Sequence, residues 1–182
     1  MSRLFFHNRG LIILRKHKPK PLFKPDFIWL LRRPHRLTGF GFGAGLSPVA
    51  PGTFGTLVAL PLSWMYLTYT DFPVWSLIIV GLLFFPVGIF VCQKCENDLG
   101  VEDYGGIVFD EIGAMIAILG TVSFSWQWWA AAFIVFRIFD AVKPFPISWF
   151  DRRFHGGFGI MSDDYIAALL SASVLWIAQQ FL

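Results

Sequence analysis

Acidic side chains are scarce in this sequence: 12 of its 182 residues are Asp or Glu, against 15 Lys and Arg. Hydrophobic residues make up 55% of the chain, and its mean hydropathy is +0.60. A soluble core of this size needs fewer apolar side chains. A carboxylate beside a hydrocarbon layer is costly unless a cation, a metal or water faces it. The composition therefore predicts an integral membrane protein of one domain whose few acids serve a function.

Cysteine is also rare, and Cys92 and Cys95 are the only two in the sequence. Their Cys-x-x-Cys spacing supplies half of a zinc site, and the soluble thioredoxin-like unit that carries the redox version is absent. Neither cysteine is followed six positions later by Arg, which argues against a cysteine phosphatase. We therefore expect two reduced thiols.

Several familiar motifs are missing. The sequence has no GxSxG nucleophile elbow, no HExxH zinc motif, no GxxxxGK[ST] phosphate loop and no GxGxxG fingerprint. It also lacks a DxDx phosphoaspartyl strand and the DxxDG…D…D pattern of the CDP-alcohol transferases. No inverted repeat typical of transporters is visible, and the apolar run at 11–14 is too short for a cleavable signal peptide.

Four long uncharged runs approach or reach the length of a membrane span, roughly 17 to 25 residues. They cover residues 54–70, 72–93, 112–136 and 165–182. Before them, residues 1–38 hold ten of the basic residues and one acid. We expect this segment to be a basic cytoplasmic arm near anionic headgroups, or alternatively a solvated tail without specific contacts. Residues 39–182 are expected to form a single membrane-embedded helical domain.

The third run is expected to fold as a hairpin, because a single crossing would separate the acids. With the arm inside and two crossings before it, one further crossing would place residues 137–164 outside. A helix over about 107–120, a turn at 121–123 and a second helix over about 126–141 keep the acids on one side. The first of these helices is only some 20 Å long, so it enters the membrane without fully spanning it.

Two acidic pairs lie beside apolar helices. Asp110 and Glu111 open one helix, where the N-terminal dipole helps to keep carboxylates ionised. Ser162, Asp163 and Asp164 have the pattern of an N-cap and first turn of the last helix. Repulsion between adjacent carboxylates is relieved by a hard divalent cation. Simple helix-end charge and capping are the alternative explanations.

Three charged residues share one helical face because they recur at three-residue steps: Arg137, Asp140 and Lys143. Two prolines at 144 and 146 end that helix, which places the Lys143 ammonium near the helix end. A fixed ammonium suits a phosphate, whereas an ordinary intrahelical ion pair explains Arg137 and Asp140 equally well. Asp151 is a further acid of this region, and no role is assigned to it.

A loop rich in glycine precedes the first long helix and reads GFGFGAGLSPVAPGTFG over residues 39–55. Its glycines could present backbone amides to an anion, and the hydroxyls of Ser47, Thr53 and Thr56 could assist. A flexible loop at the membrane entry is the alternative.

Four blocks, in this order, resemble the phosphatidylglycerophosphatase A family. They are GAGLSPVAPGT at 43–53, GIVFDEIG at 106–113, FRIFDAVKPFP at 136–146 and GIMSDD at 159–164. The resemblance extends from about residue 39 to the C-terminus and leaves the basic arm outside. It implies an all-helical (all-α) fold with helices packed around a central helix.

The resemblance also implies an activity: Mg²⁺-dependent removal of the terminal phosphate of phosphatidylglycerophosphate, which yields phosphatidylglycerol in phospholipid biosynthesis. The expected location is the bacterial cytoplasmic (inner) membrane, as a multi-pass protein with its active site facing the cytoplasm. The expected partners are this substrate and membrane lipids, without nucleic acid, and the oligomeric state is open. A non-enzymatic membrane scaffold or lipid-binding protein is the alternative function.

Matching the motifs residue by residue gives the expected site. The expected Mg²⁺ ligands are Asp110, Asp163 and Asp164. The expected catalytic residues are Glu111, Asp140, Lys143 and Arg137, with the two cations holding the phosphate and either carboxylate serving as base or further ligand. The expected substrate-binding residues are Ser47, Gly52, Thr53 and Gly55. Direct attack by water is favoured, and Ser47 or Thr53 as a nucleophile is the alternative.

Overall fold

The computed structural model describes residues 23–181, and this part of the chain contains helices and no strand. The α-helices are α1 (Phe27–Leu31), α2 (Pro34–Gly39), α3 (Pro51–Thr70), α4 (Ser76–Leu99), α5 (Phe109–Leu119), α6 (Trp126–Val142), α7 (Ile147–Arg153) and α8 (Gly156–Gln179). A 3₁₀ helix, Gly41–Leu46, lies between α2 and α3. The predicted all-α class is confirmed.

Helix α5 lies at the centre of the fold. It packs against α3, α4, α6 and α8, and nine of its eleven residues are buried. Small residues allow close approach: a Cβ built on Gly81 of α4 would lie 2.6 Å from Ala117 of α5. Among the described helices, α5 thus has neighbours on several sides, and its first turn carries the acidic pair Asp110 and Glu111.

Two helices of the described segment are long and apolar enough to cross a membrane, α4 and α8. Four such runs were expected from the sequence. The run at 112–136 is divided between α5, with 11 residues, and α6, with 17. Helix α3 has 20 residues and contains Pro61, but it does not reach the apolarity of the other two. Long uncharged runs therefore overestimate the number of candidate spans in this chain.

The hairpin predicted for residues 107–141 is present as α5, a turn and α6. The turn lies at the C-terminal end of α8, where Gln179 accepts a hydrogen bond from the Ser123 amide at 3.1 Å and donates one to the Thr121 carbonyl at 3.2 Å. The opposite end of the bundle therefore brings together the start of α5, the end of α6 and the start of α8. These are the ends that carry the acidic residues.

Part of the predicted basic arm is folded. Arg33, His35 and Arg36 surround Asp98 of α4, with His35 Nε2 and Arg36 Nε both 2.7 Å from Asp98 Oδ2. The guanidinium of Arg36 also lies 4.2 Å from the ring centre of Trp29. Positions 23–38 thus make specific contacts. The prediction for the earlier part of the arm, 1–22, lies outside the described residues.

The interpretation of Ser162 as an N-cap was wrong. Helix α8 begins six residues earlier, at Gly156, and His155 occupies the N-cap position. Ser162 instead donates from its hydroxyl to the Phe158 carbonyl one turn back. The start of α8 packs closely on α4, since a Cβ on Gly157 would lie 2.0 Å from the Ile89 carbonyl oxygen. The two cysteines, Cys92 and Cys95, are free, as predicted, and both are buried.

Candidate active site

Three carboxylates converge where α5 and α8 meet. One oxygen each of Asp110, Glu111 and Asp164 lies within 4.8 Å of the others. Asp110 and Glu111 come from the first turn of α5, and Asp164 from the third turn of α8. Asp110 and Asp164 are 8% and 4% exposed, so their charges are withdrawn from water. We call these three residues the carboxylate cluster.

The carboxylate cluster has the donor set and the free oxygens of a site for a hard cation. Within residues 23–181, no hydrogen-bond partner reaches Asp110 Oδ1, Glu111 Oε2 or Asp164 Oδ2. Burial raises the pKa of Asp110 and of Glu111, and the neighbouring carboxylates raise each further. Buried acids that repel each other ionise together only with a compensating positive charge. Oxygen ligands of this kind suit Mg²⁺, so the residues fit the expected metal.

Arg137 of α6 borders the carboxylate cluster. One of its terminal nitrogens, Nη1, lies 2.7 Å from Asp140 Oδ2, 3.6 Å from Glu111 Oε1 and 3.3 Å from the Thr56 hydroxyl. Thr56 is fully buried and donates its own hydrogen to the Gly52 carbonyl at 2.9 Å. A hydroxyl has one hydrogen, so the oxygen of Thr56 must accept from Arg137. The guanidinium is therefore contacted by side chains of α3, α5 and its own helix, α6.

Gly52 makes room for this contact. A Cβ built on Gly52 would lie 2.0 Å from Glu111 Oε1 and 3.3 Å from Arg137 Nη1. Glycine at position 52 therefore lets the N-terminus of α3 approach the Glu111–Arg137 pair directly. Of the four residues expected to bind substrate, Gly52 is the one in direct contact with other predicted site residues.

The other three expected substrate-binding residues have mainly local contacts. Ser47 donates from its hydroxyl to the Val49 carbonyl at 2.8 Å, and the Thr53 amide donates to the Ala50 carbonyl at 2.9 Å. Gly55 packs on Val108, where a Cβ would come within 2.5 Å of the valine Cβ. None of these three contacts involves a residue of the carboxylate cluster.

Lys143 forms a second group beside the cluster. Its ammonium is bonded to Asp163 of α8 and lies 2.7 Å from Asp151 Oδ1 of α7. Burial alone would lower the pKa of Lys143, but the charge of Asp163 and the hydrogen bonds to both acids outweigh burial and raise it. Lys143 is therefore cationic at neutral pH. Asp163, an expected metal ligand, is paired with this cation, whereas Glu111, expected in a catalytic role, lies in the carboxylate cluster.

Two contacts of the site were missed in the sequence. Thr56 was grouped with the loop hydroxyls. Its position four residues after Gly52 indicates that its hydroxyl can donate to the Gly52 carbonyl within a helix. Asp151 had no assigned role. It is eight residues from Lys143 across a proline-containing turn, and such a separation predicts no contact by itself. Folding of α7 against α8 brings Asp151 to the lysine.

A family model described as Phosphatidylglycerophosphatase A matches residues 37–179. Phosphatidylglycerophosphatase A of Escherichia coli (strain K12) is 44% identical over 147 residues, covering 80% of this chain and 84% of that protein. The protein of the same name from Haemophilus influenzae (strain ATCC 51907 / DSM 11121 / KW20 / Rd) is 42% identical over 153 residues, covering 84% and 93%.

A third relative, from Bacteroides thetaiotaomicron (strain VPI-5482), carries the name "Putative phosphatidylinositol-3-phosphatase". It is 39% identical over 150 residues, covering 79% of this chain and 92% of that protein. No solved structure matches the chain significantly. The family match covers well over half of the sequence and contains all four of the motifs that suggested the resemblance. The chain therefore belongs to the phosphatidylglycerophosphatase A family of phosphatase enzymes.

Proposed function

We propose that this phosphatase removes the terminal phosphate of phosphatidylglycerophosphate in a reaction that requires Mg²⁺. The observation that carries the proposal is the carboxylate cluster, in which Asp110, Glu111 and Asp164 present converging oxygens without partners among residues 23–181. A phosphate monoester is an anion, so its hydrolysis needs charge neutralisation and alignment more than a covalent partner. The relatives that are named phosphatidylglycerophosphatase A support the choice of substrate.

The ligands of the metal would be Asp110, Glu111 and Asp164. This set differs from the one expected from the sequence, because the oxygens that converge belong to Asp110, Glu111 and Asp164, whereas Asp163 Oδ2 is bonded to Lys143. When bound, Mg²⁺ supplies positive charge to phosphate oxygens and lowers the pKa of water at the site. The protein holds three buried carboxylates close together, and it supplies too few cations beside them to balance their negative charge.

Arg137 and Lys143 would bind the phosphate group. Arg137 lies on α6 and contacts Glu111 of the carboxylate cluster. Lys143 caps the C-terminal end of α6 in a left-handed conformation and contacts Asp163, the neighbour of Asp164 in sequence. Asp140 and Thr56 orient the guanidinium of Arg137, and Asp163 orients the ammonium of Lys143. Since Ser47 bonds within its own loop, attack by water is preferred over a covalent serine intermediate.

The enzyme would act at the cytoplasmic face of a bacterial inner membrane, as a multi-pass protein of phospholipid biosynthesis. Helices α4 and α8 are the candidate spans. The described part of the basic segment lies beside the start of α5, since the Val108 amide donates to the Gly39 carbonyl at 2.9 Å. Cytoplasmic loops near membrane spans are enriched in Lys and Arg. The acyl chains of the substrate would stay in the bilayer while the headgroup enters the site.

The decisive experiment measures phosphate release by the purified chain in detergent micelles containing phosphatidylglycerophosphate. We expect release with Mg²⁺, none with EDTA, and recovery when Mg²⁺ is added back. Phosphatidylinositol 3-phosphate and phosphatidic acid, tested in parallel, distinguish the substrate from those of other lipid phosphatases. No release from phosphatidylglycerophosphate with Mg²⁺ would contradict the proposal and favour a non-enzymatic lipid-binding role.

A further inference from the structure

The ammonium of Lys143 has two carboxylate partners that differ in burial. The side chain of Asp163 is 8% exposed, whereas that of Asp151 is 38% exposed. Two of the three N–H groups of the ammonium are occupied by these acids. One positive and two negative charges leave this group with a net charge of −1, which opposes the approach of a phosphate.

The two partners also differ in how easily they can leave. Asp163 lies on α8, buried between neighbouring helices, and cannot move away without disturbing that helix. Asp151 lies on the seven-residue helix α7, and ion pairs with a solvent-exposed partner contribute little stability. Lys143 itself ends α6, with a φ of 45°, and its ammonium reaches both acids from this position.

We propose that Asp151 is a positioning residue that holds Lys143 in place in the free enzyme and is displaced by the phosphate group of the substrate. This inference rests on the proposed function, which makes Lys143 a phosphate ligand. Asp163 keeps its bond throughout, whereas the second partner of the ammonium changes from Asp151 to a phosphate oxygen. The same competition favours release of inorganic phosphate after hydrolysis, since Asp151 recaptures the lysine.

The test replaces Asp151 by Asn, which keeps a hydrogen-bond acceptor for Lys143 but removes the competing charge. We expect D151N to lower both the KM for phosphatidylglycerophosphate and the inhibition constant for inorganic phosphate by about two- to fivefold, the range of one partly exposed ion pair. D151S removes the charge and the bond together and should change both constants in the same direction. A purely structural role predicts lower thermal stability without tighter phosphate binding.

The matched control is D71N, the same charge change in the turn between α3 and α4, at the other end of the molecule. Both constants should be unchanged in D71N. Unchanged or raised constants in both Asp151 variants, or an equal decrease in D71N, would overturn the inference. Calorimetric titration of each protein with inorganic phosphate gives the same comparison without turnover. It tests Asp151 even if the wild-type chain releases no phosphate from the lipid, a result that would contradict only the proposed function.

Discussion

Asp163 and Asp164 are neighbours in sequence and have opposite surroundings. Asp163 is bonded to Lys143, whereas Asp164 faces Asp110 and Glu111 and has no ion-pair partner among residues 23–181. Successive residues of a helix project about 100° apart, so two adjacent acids on α8 face two different groups of residues. Under the proposed function, this end of the bundle combines a metal side, the carboxylate cluster, with a phosphate side, the cations Lys143 and Arg137, of which Arg137 also contacts Glu111.

The largest expected effect comes from Asp164→Asn. Removing one ligand of the metal side should lower kcat/KM for Mg²⁺-dependent phosphate release by roughly 100-fold or more. The same change removes one of three mutually repelling buried charges, so the melting temperature without Mg²⁺ should be unchanged or higher. Mg²⁺ should no longer raise it. Activity assays and thermal melts with and without Mg²⁺ check both parts.

Asp163→Asn is the matched variant on the phosphate side. It should also reduce activity, because Lys143 loses its buried partner, but Mg²⁺ should still raise the melting temperature. Without Mg²⁺, D163N should melt lower than the wild type, since a partly buried cation loses a bonded carboxylate. If both variants abolish stabilisation by Mg²⁺, the two sides are not separate and Asp163 is a metal ligand as first expected from the sequence.

Gly52→Ala tests the contact between α3 and the pair Glu111–Arg137. The added methyl group would lie 2.0 Å from Glu111 Oε1, so the carboxylate must move. Displacement of about 1 Å at a catalytic group can cost up to ~100-fold in rate, and we expect a loss of roughly 10- to 100-fold in kcat/KM. Gly105→Ala is the control, because a Cβ there meets no atom within 4 Å. Equal activity of G52A and wild type would show that the reaction does not depend on the position of the Glu111 carboxylate.

Thr56→Val probes the phosphate side with a smaller change. Valine keeps the shape of threonine but removes the hydroxyl that accepts from Arg137 at 3.3 Å and donates to the Gly52 carbonyl within α3. A single hydrogen bond of this kind predicts a loss of about 3- to 10-fold in kcat/KM. Thr56→Ser retains the hydroxyl and should recover most of the activity. If serine and valine are equally impaired, the methyl group of Thr56 matters through packing and the hydroxyl does not orient Arg137.

The sequence predicted the central hairpin and the end of the bundle at which the acids meet, because charge and run length are visible without coordinates. The partners of each acid were not predictable to the same extent. Glu111 meets Gly52 only because α3 packs on α5, and Asp163 meets Lys143 only because α6 and α8 are neighbours. Spacing on one helix identifies which residues share a face, but the distances between helices depend on packing.

The start of α8 was misplaced for a related reason. Glycines at 156, 157 and 159 have low intrinsic helix propensity, so the sequence favoured a helix that begins near Ser162. Two contacts with α4 offset this preference. The Gly157 amide donates to Gln93 Oε1 at 3.0 Å, and the missing side chain lets Gly157 approach the Ile89 carbonyl. Tertiary contacts thereby extend α8 by six residues before Ser162 and place Asp163 and Asp164 in the helix interior rather than in its first turn.

The smallest expected effect follows from that correction. If Ser162 were an N-cap, Ser162→Ala would cost ~1 kcal/mol of stability. Within a helix, a serine that bonds back to the carbonyl one turn earlier contributes little or slightly opposes the helix. Since alanine has the higher helix propensity and fits the space of serine, we expect the free energy of unfolding of S162A to stay within about 0.5 kcal/mol of wild type. Activity should also be retained, because the hydroxyl of Ser162 bonds to Phe158. A loss of ~1 kcal/mol in a denaturant titration would instead indicate that α8 begins near Ser162. Asp163 and Asp164 would then lie in the first turn of the helix, which would not hold them in two different surroundings.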